Sequence, residues 1–167
     1  MIMIRIGHGY DAHRLTEGRR LTLCGVCVPF ERGLSGHSDA DVAAHAVMDA
    51  ILGAIAMGDI GQHFPDSDPA YQDADSLELL DQVVSLADSV GYVVGNIDIT
   101  IIAQRPKLSG YIEQMRENIA ATCGVDSSDV NVKATTTEGM GFEGAGEGIS
   151  AHAVVLLYED DELSIEN

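Results

Sequence analysis

Asp11-Ala12-His13 near the start of the chain, His45 further on, and the late run Thr135-Thr136-Thr137-Glu138 supply donors suited to divalent cations. One carboxylate and two imidazoles form a hard-to-borderline set that suits zinc, and three protein ligands leave the fourth tetrahedral position for a substrate. Hydroxyls and a carboxylate at a strand end, beside a glycine turn, can receive phosphate oxygens and a second divalent ion. Covalent nucleophilic catalysis is not expected, because no Ser, Cys or Lys stands in a G-x-S-x-G elbow or a phosphate loop. Gly139-Met140-Gly141-Phe142-Glu143-Gly144 matches G-x-G-x-x-G but leads towards a strand. With no helix N-terminus to receive a pyrophosphate, the dinucleotide reading is rejected in favour of a tight glycine turn.

These residues must be carried by regular elements. Ile4 to His13 alternates as a strand does, and the i, i+2 relation puts Asp11 and His13 on one face. A second strand is expected over Leu21 to Val28, with Cys24 and Cys27 on opposite faces and structural rather than paired for chemistry. Ser38 is read as the start of a helix running to about Met57, capped with Asp41 and stopped by Gly58. On it Asp41, His45 and Asp49 form a polar row, so the two carboxylates are expected to act as outer partners of the imidazole. Gly58 to Asp75 reads as a long ordered loop. A helix over Ser76 to Val90, a strand over Tyr92 to Ala103, a helix over Ile112 to Cys123 and strands over Val130 to Thr136 and Ile149 to Tyr158 follow. The expected architecture is an α/β sandwich with helices on one sheet face. The last strand carries Val154, Leu156 and Tyr158 on one side and Ala153, Val155 and Leu157 on the other, so another subunit is expected to cover the second face.

At 167 residues and 46% apolar content the chain can bury one core, and a single globular domain is expected over 1–158 with an acidic tail over 159–167. No apolar run reaches the roughly 20 residues of a membrane span, and the N-terminus lacks the pattern of a secretion signal, which points to the cytoplasm. The net charge of −18 argues against nucleic acid and anionic lipid as partners. Lys107 and Lys133 are the lysines of this acidic chain, a balance that suits solubility in a salt-rich cytoplasm. The same field repels a phosphorylated substrate unless bound cations reverse it locally.

Six segments, taken together, resemble the 2-C-methyl-D-erythritol 2,4-cyclodiphosphate synthase family over residues 4 to 158. They are Gly7 to His13, His37 to His45, Gly58-Asp59-Ile60-Gly61, Phe64-Pro65-Asp66-Ser67-Asp68, Ile101 to Lys107 and Asn131 to Glu138. The resemblance implies a ferredoxin-like subunit in a homotrimer, with sites between neighbours. It implies zinc on Asp11, His13 and His45, and magnesium or manganese near Glu138. His37 and Thr136 would brace the transition state. Ser38, Asp59, Ile60, Gly61, Phe64, Pro65, Asp66, Ser67, Asp68, Ala103, Gln104, Arg105, Pro106, Lys107, Leu108, Thr135, Thr137 and Phe142 would contact the substrate. The implied reaction cyclises 4-diphosphocytidyl-2-C-methyl-D-erythritol 2-phosphate with loss of CMP, and at this length no fused cytidylyltransferase domain is expected. Ala145 stands where members often carry an arginine that helps hold an isoprenoid phosphate in the trimer cavity, and Ser109 where a larger apolar residue is common. A zinc hydrolase and a non-catalytic metal- or nucleotide-binding trimer are the competing readings.

Overall fold

In this computed structural model, described over residues 2–160 and Glu162, the chain opens with the strand β1 (Ile4–Thr16), longer than the alternation to His13 implies. The expected strand over Leu21 to Val28 is instead a hairpin of β2 (Leu21–Leu23) and β3 (Val26–Val28). Its two-residue turn, Cys24-Gly25, has positive φ at both positions (48° and 73°), the conformation that matches the twist of paired strands. The two cysteines do not face opposite sides of one strand as expected: Cys24 is sealed in the turn, Cys27 is exposed, and both are free. Burial and the nearby Asp41 charge push the Cys24 thiol up, and burial pushes Cys123 up to about 12, so neither offers a ready thiolate.

After β4 (Gly33–Leu34) comes α1 (Val42–Ala54), shorter at both ends than expected. Its cap is Asp41, not Ser38. The Asp41 carboxylate accepts from the Ala44 amide (3.0 Å) and also from the Cys24 and Gly25 amides (2.9 and 2.7 Å), so one fully buried side chain ties the hairpin to the helix start. The segment from Gly58 to Asp75 holds a short helix, α2 (Ile60–His63), and a 3-10 turn over Pro69–Tyr71. Then follow α3 (Ser76–Ser89), β5 (Tyr92–Ile102), α4 (Ile112–Cys123), β6 (Val130–Thr135), α5 (Gly141–Gly144) and β7 (Gly148–Glu159). The glycine stretch is therefore a single helical turn rather than a plain turn. Asp161 and residues 163–167 of the expected acidic tail lie outside the described residues.

Among the described residues the main sheet is mixed, in the order β4-β1-β7-β5-β6, with β5 and β6 parallel and the other neighbours antiparallel. One face is covered by α1, α3 and α4 and buries Ala151, Ala153, Val155 and Leu157 of β7 together with Ile97, Ile99 and Ile101 of β5. The opposite face leaves Ile4, Ile6, Tyr10, Val154 and Tyr158 exposed, with Ile6 at 73%.

What lets α1 lie so close to β1 is the absence of side chains between them. A Cβ on Gly9 would sit 1.8 Å from the Ala46 carbonyl oxygen, and one on Gly7 1.8 Å from that of Ala50. Gly9→Ala therefore has to push the helix away and is expected to destabilise by about 3 kcal/mol or more. Gly53→Ala, on the same helix with nothing near its added methyl, is expected to stabilise by up to about 1 kcal/mol through helix propensity. Urea denaturation of both variants checks the contrast; equal stabilities would contradict the close-approach argument.

Candidate metal centre and its surroundings

Asp11 and His13 point from β1 towards α1, on the same face as Gly7 and Gly9, and His45 on the first turn of α1 meets them. Asp11 Oδ2 lies 2.9 Å from His13 Nε2 and 2.9 Å from His45 Nδ1, and the two ring nitrogens are 3.3 Å apart. The far side of each ring is occupied. His13 Nδ1 donates to the Ser35 carbonyl (2.8 Å), which can only accept, so that nitrogen carries a hydrogen. His45 Nε2 lies 3.0 Å from Ser76 Oγ and 3.2 Å from Ser38 Oγ.

With the outer nitrogens engaged, one nitrogen of each imidazole and a carboxylate oxygen face a common point, where a proton or a cation must separate them. A chain with one O and two N donors and no thiolate within the cluster fits zinc with an open position. Burial alone would push the Asp11 carboxyl up, but the hydrogen bonds and charges of His13 and His45 outweigh it and hold it well below the usual carboxylate range. Burial likewise opposes protonation of His13, yet the Asp11 contact prevails and its pKa is raised.

The polar row on α1 does not serve the imidazole as the helical spacing suggests. Asp41 turns to the helix start and the hairpin, and Asp49 accepts from the Ile60 amide (2.8 Å), fixing the start of α2. The groups that hold His45 from behind are Ser38 and Ser76. Ser76 Oγ in turn donates to Asp39 Oδ1 at 2.5 Å. Sequence spacing gives no signal for Ser76, because α3 reaches the site only in three dimensions.

His37, Ser38, Ile60, Phe64 and Asp66 line a small cavity of about 30 Å³ beside His45, and His37 Nε2 donates to the Asp68 carbonyl (3.0 Å). Asp59 caps α2 through the Gln62 amide, with Gly61 in its first turn, and the Phe64 ring packs edge-on against Tyr71. Pro65 and Ser67 lie in the turn between Phe64 and Asp68. The other expected residues gather elsewhere. Ala103, Gln104, Arg105, Pro106, Lys107, Leu108, Thr135 and Thr136 line a pocket of about 540 Å³ at the ends of β5 and β6. Glu138 is exposed and belongs to no cluster of three metal-ligating side chains among the described residues. Its amide bonds Thr136 Oγ1, Gly139 N bonds Gln104, and Thr137 bonds the Met140 carbonyl. Phe142 packs beside Gly148, next to the His13 backbone.

The sheet register places the two groups at one level but apart. Asp11 pairs with Ala151, Ala151 with Ile101, and Ile101 with Ala134. Three strand spacings of about 4.8 Å put roughly 14 Å between the metal cluster and the β6 pocket.

Fold and cluster together define a mixed α/β protein with a possible metal site. The chain belongs to the YgbB family, whose model matches residues 4–158. It is 65% identical over 154 residues to the 2-C-methyl-D-erythritol 2,4-cyclodiphosphate synthase of Trichlorobacter lovleyi, covering 92% of this chain and 98% of the relative. It is 60% identical to the synthase of the same name from Methylococcus capsulatus, with 93% and 98% covered. Among solved structures, one of that synthase in a CDP-bound form matches with a TM-score of 0.85 at 36% identity, covering 92% of this chain and 99% of the other. The bifunctional IspDF of Campylobacter jejuni matches with a TM-score of 0.93 at 44% identity. There the match covers 96% of this chain but 44% of the bifunctional one, so the chain spans less than half of that protein.

A metal must displace any proton shared within the cluster. His13 is protonated below its raised pKa and free above it, so zinc affinity is expected to fall as pH is lowered, beginning above the free-imidazole value of 6.5. Chelator competition between about pH 8 and about pH 6 reads this; an affinity constant across that range would contradict it. In the metal-free protein the sign is opposite. The His13–Asp11 pair contributes stability that is present below pH 6.5 and is lost as pH rises through the raised His13 pKa.

Proposed function

We propose that the chain cyclises 4-diphosphocytidyl-2-C-methyl-D-erythritol 2-phosphate to 2-C-methyl-D-erythritol 2,4-cyclodiphosphate and releases CMP, within isoprenoid biosynthesis. The observation that carries the reading is the convergence of Asp11 Oδ2, His13 Nε2 and His45 Nδ1 in a chain of this family. An oxygen of the 2-phosphate attacks the β-phosphorus of the diphosphate, a new P–O bond closes the ring, and the bond to the α-phosphate oxygen breaks with its electrons leaving on CMP. The nucleophile is already an anion, so no general base is required, in keeping with a site that lacks an activated Ser or Cys.

The difficulty is charge repulsion between two phosphate groups on a protein of net charge −18. Zinc held by Asp11, His13 and His45, and a magnesium or manganese ion on Glu138 and the substrate's own oxygens, would supply the Lewis acidity and charge neutralisation the step needs. Ser38 would donate to a phosphate oxygen. Asp59 and Gly61 present groups to the erythritol hydroxyls. His37 and Thr136 brace the transition state, and Thr135, Ala103, Pro106 and Lys107 border the space for cytidine. Such donors matter by holding an in-line geometry.

The roughly 14 Å gap between the two groups of residues supports a homotrimer in which one subunit's metal cluster faces its neighbour's β6 pocket. The exposed apolar face of the sheet supports the same assembly, since contiguous apolar surface of this kind marks an interface. The mixed sheet with helices on one face supports a ferredoxin-like subunit forming one catalytic domain over 1–158, followed by the acidic tail. No helix of the described residues is long and apolar enough to cross a membrane, and we place the enzyme in the cytoplasm.

Incubation of protein, zinc, magnesium and the diphosphocytidyl substrate, followed by phosphorus NMR, tests the reading. The expected signals are those of a cyclic diphosphate and CMP, and His45→Ala is expected to abolish both. Linear hydrolysis products, or an unchanged substrate with the zinc-loaded protein, would contradict it.

A further inference from the structure

His45 can present either ring nitrogen to a metal, and something outside the ring must decide which. Ser76 and Asp39 form a connected pair behind it. Ser76 is fully buried at the first position of α3, and its Oγ lies 3.0 Å from His45 Nε2 and 2.5 Å from Asp39 Oδ1. The same Asp39 carboxylate accepts the Ser76 amide through Oδ2 (3.0 Å) and the Asp41 amide through Oδ1 (3.0 Å), so it is held from two elements. A carboxylate accepts only, and the serine hydroxyl has a single hydrogen. Once that hydrogen is given to Asp39, the serine oxygen is left as an acceptor, and the nitrogen facing it must be N–H.

We propose that Ser76 and Asp39 are positioning residues for the metal centre. Asp39 takes the Ser76 hydroxyl hydrogen, Ser76 takes the His45 Nε2 hydrogen, and the Nδ1 lone pair is thereby committed to the point where Asp11 and His13 converge. Ser38 touches the same Nε2 at the longer distance of 3.2 Å, and its oxygen already accepts the Ala40 amide (3.2 Å). That leaves Ser38 a minor partner in orientation.

The inference rests on the metal reading above, and one experiment separates the two. Zinc dissociation constants are measured by chelator competition for wild type, Ser76→Ala, Ser76→Thr and Ser38→Ala. The melting temperatures of the metal-free proteins serve as the folding control. Loss of an outer-shell partner is expected to weaken zinc by about 10- to 100-fold in Ser76→Ala. Ser76→Thr, which keeps the hydroxyl, should restore wild-type binding, and Ser38→Ala should change it little. Wild-type affinity in Ser76→Ala overturns the proposal while leaving the metal site standing; a wild type that takes up no zinc removes both. Nitrogen-15 NMR of the histidines in the unmutated zinc protein reads the tautomer without relying on any variant. Hydrogen on His45 Nε2 is expected, and hydrogen on Nδ1 overturns the proposal.

Discussion

The near-contact of α1 with β1 is the constraint on which the site depends. His45 belongs to the helix and Asp11 and His13 to the strand, and their donor atoms meet at 2.9 to 3.3 Å because Gly7 and Gly9 put no side chain between the backbones. The helix answers with small residues, Ala43, Ala46 and Ala50, all fully buried. A close-packed interior transmits such a spacing directly, since it has few voids in which a displaced helix could settle. The wholly buried Asp41 adds a second restraint by capping α1 and bonding the Cys24-Gly25 turn, so the helix start is fixed both along its axis and against the hairpin.

The elements that could be read from the sequence are those whose signals are local. Alternation in Ile4 to His13 and helical periodicity in Ser76 to Val90 follow from backbone preferences of neighbouring residues. Placing Asp11 and His13 on one face needed only the two-residue period of a strand. The hairpin at Cys24-Gly25 escaped because cysteine gives no turn signal and the flanking residues read as one apolar run. The helix start moved from Ser38 to Val42 because Asp41, rather than Ser38, accepts the first-turn amide. Helical spacing assigns Asp41 and Asp49 to His45, but other elements compete for both carboxylates. Ser76 and Asp39 were invisible because their relation to His45 is made by packing of α3 on α1.

The division of the site follows from the same sheet. Register puts Asp11 and Ala134 in one row, separated by β7 and β5, so a single chain presents a metal cluster and a nucleotide-sized pocket that do not share a cavity. The exposed apolar strands on the other sheet face are the surface that the proposed assembly would cover. In the proposed assembly, cations would offset the field that otherwise rejects a diphosphate, and a neighbouring copy would close the gap.

The proposed chemistry needs one ion gripped by the Asp11 carboxylate and the His13 and His45 imidazoles. X-ray absorption at the zinc edge of the metal-loaded protein reads that ligand set directly. The account predicts a first shell of nitrogen and oxygen at about 2.0 to 2.1 Å with the scattering signature of two imidazoles. A sulfur shell at about 2.3 Å would place the metal on the cysteines and contradict it.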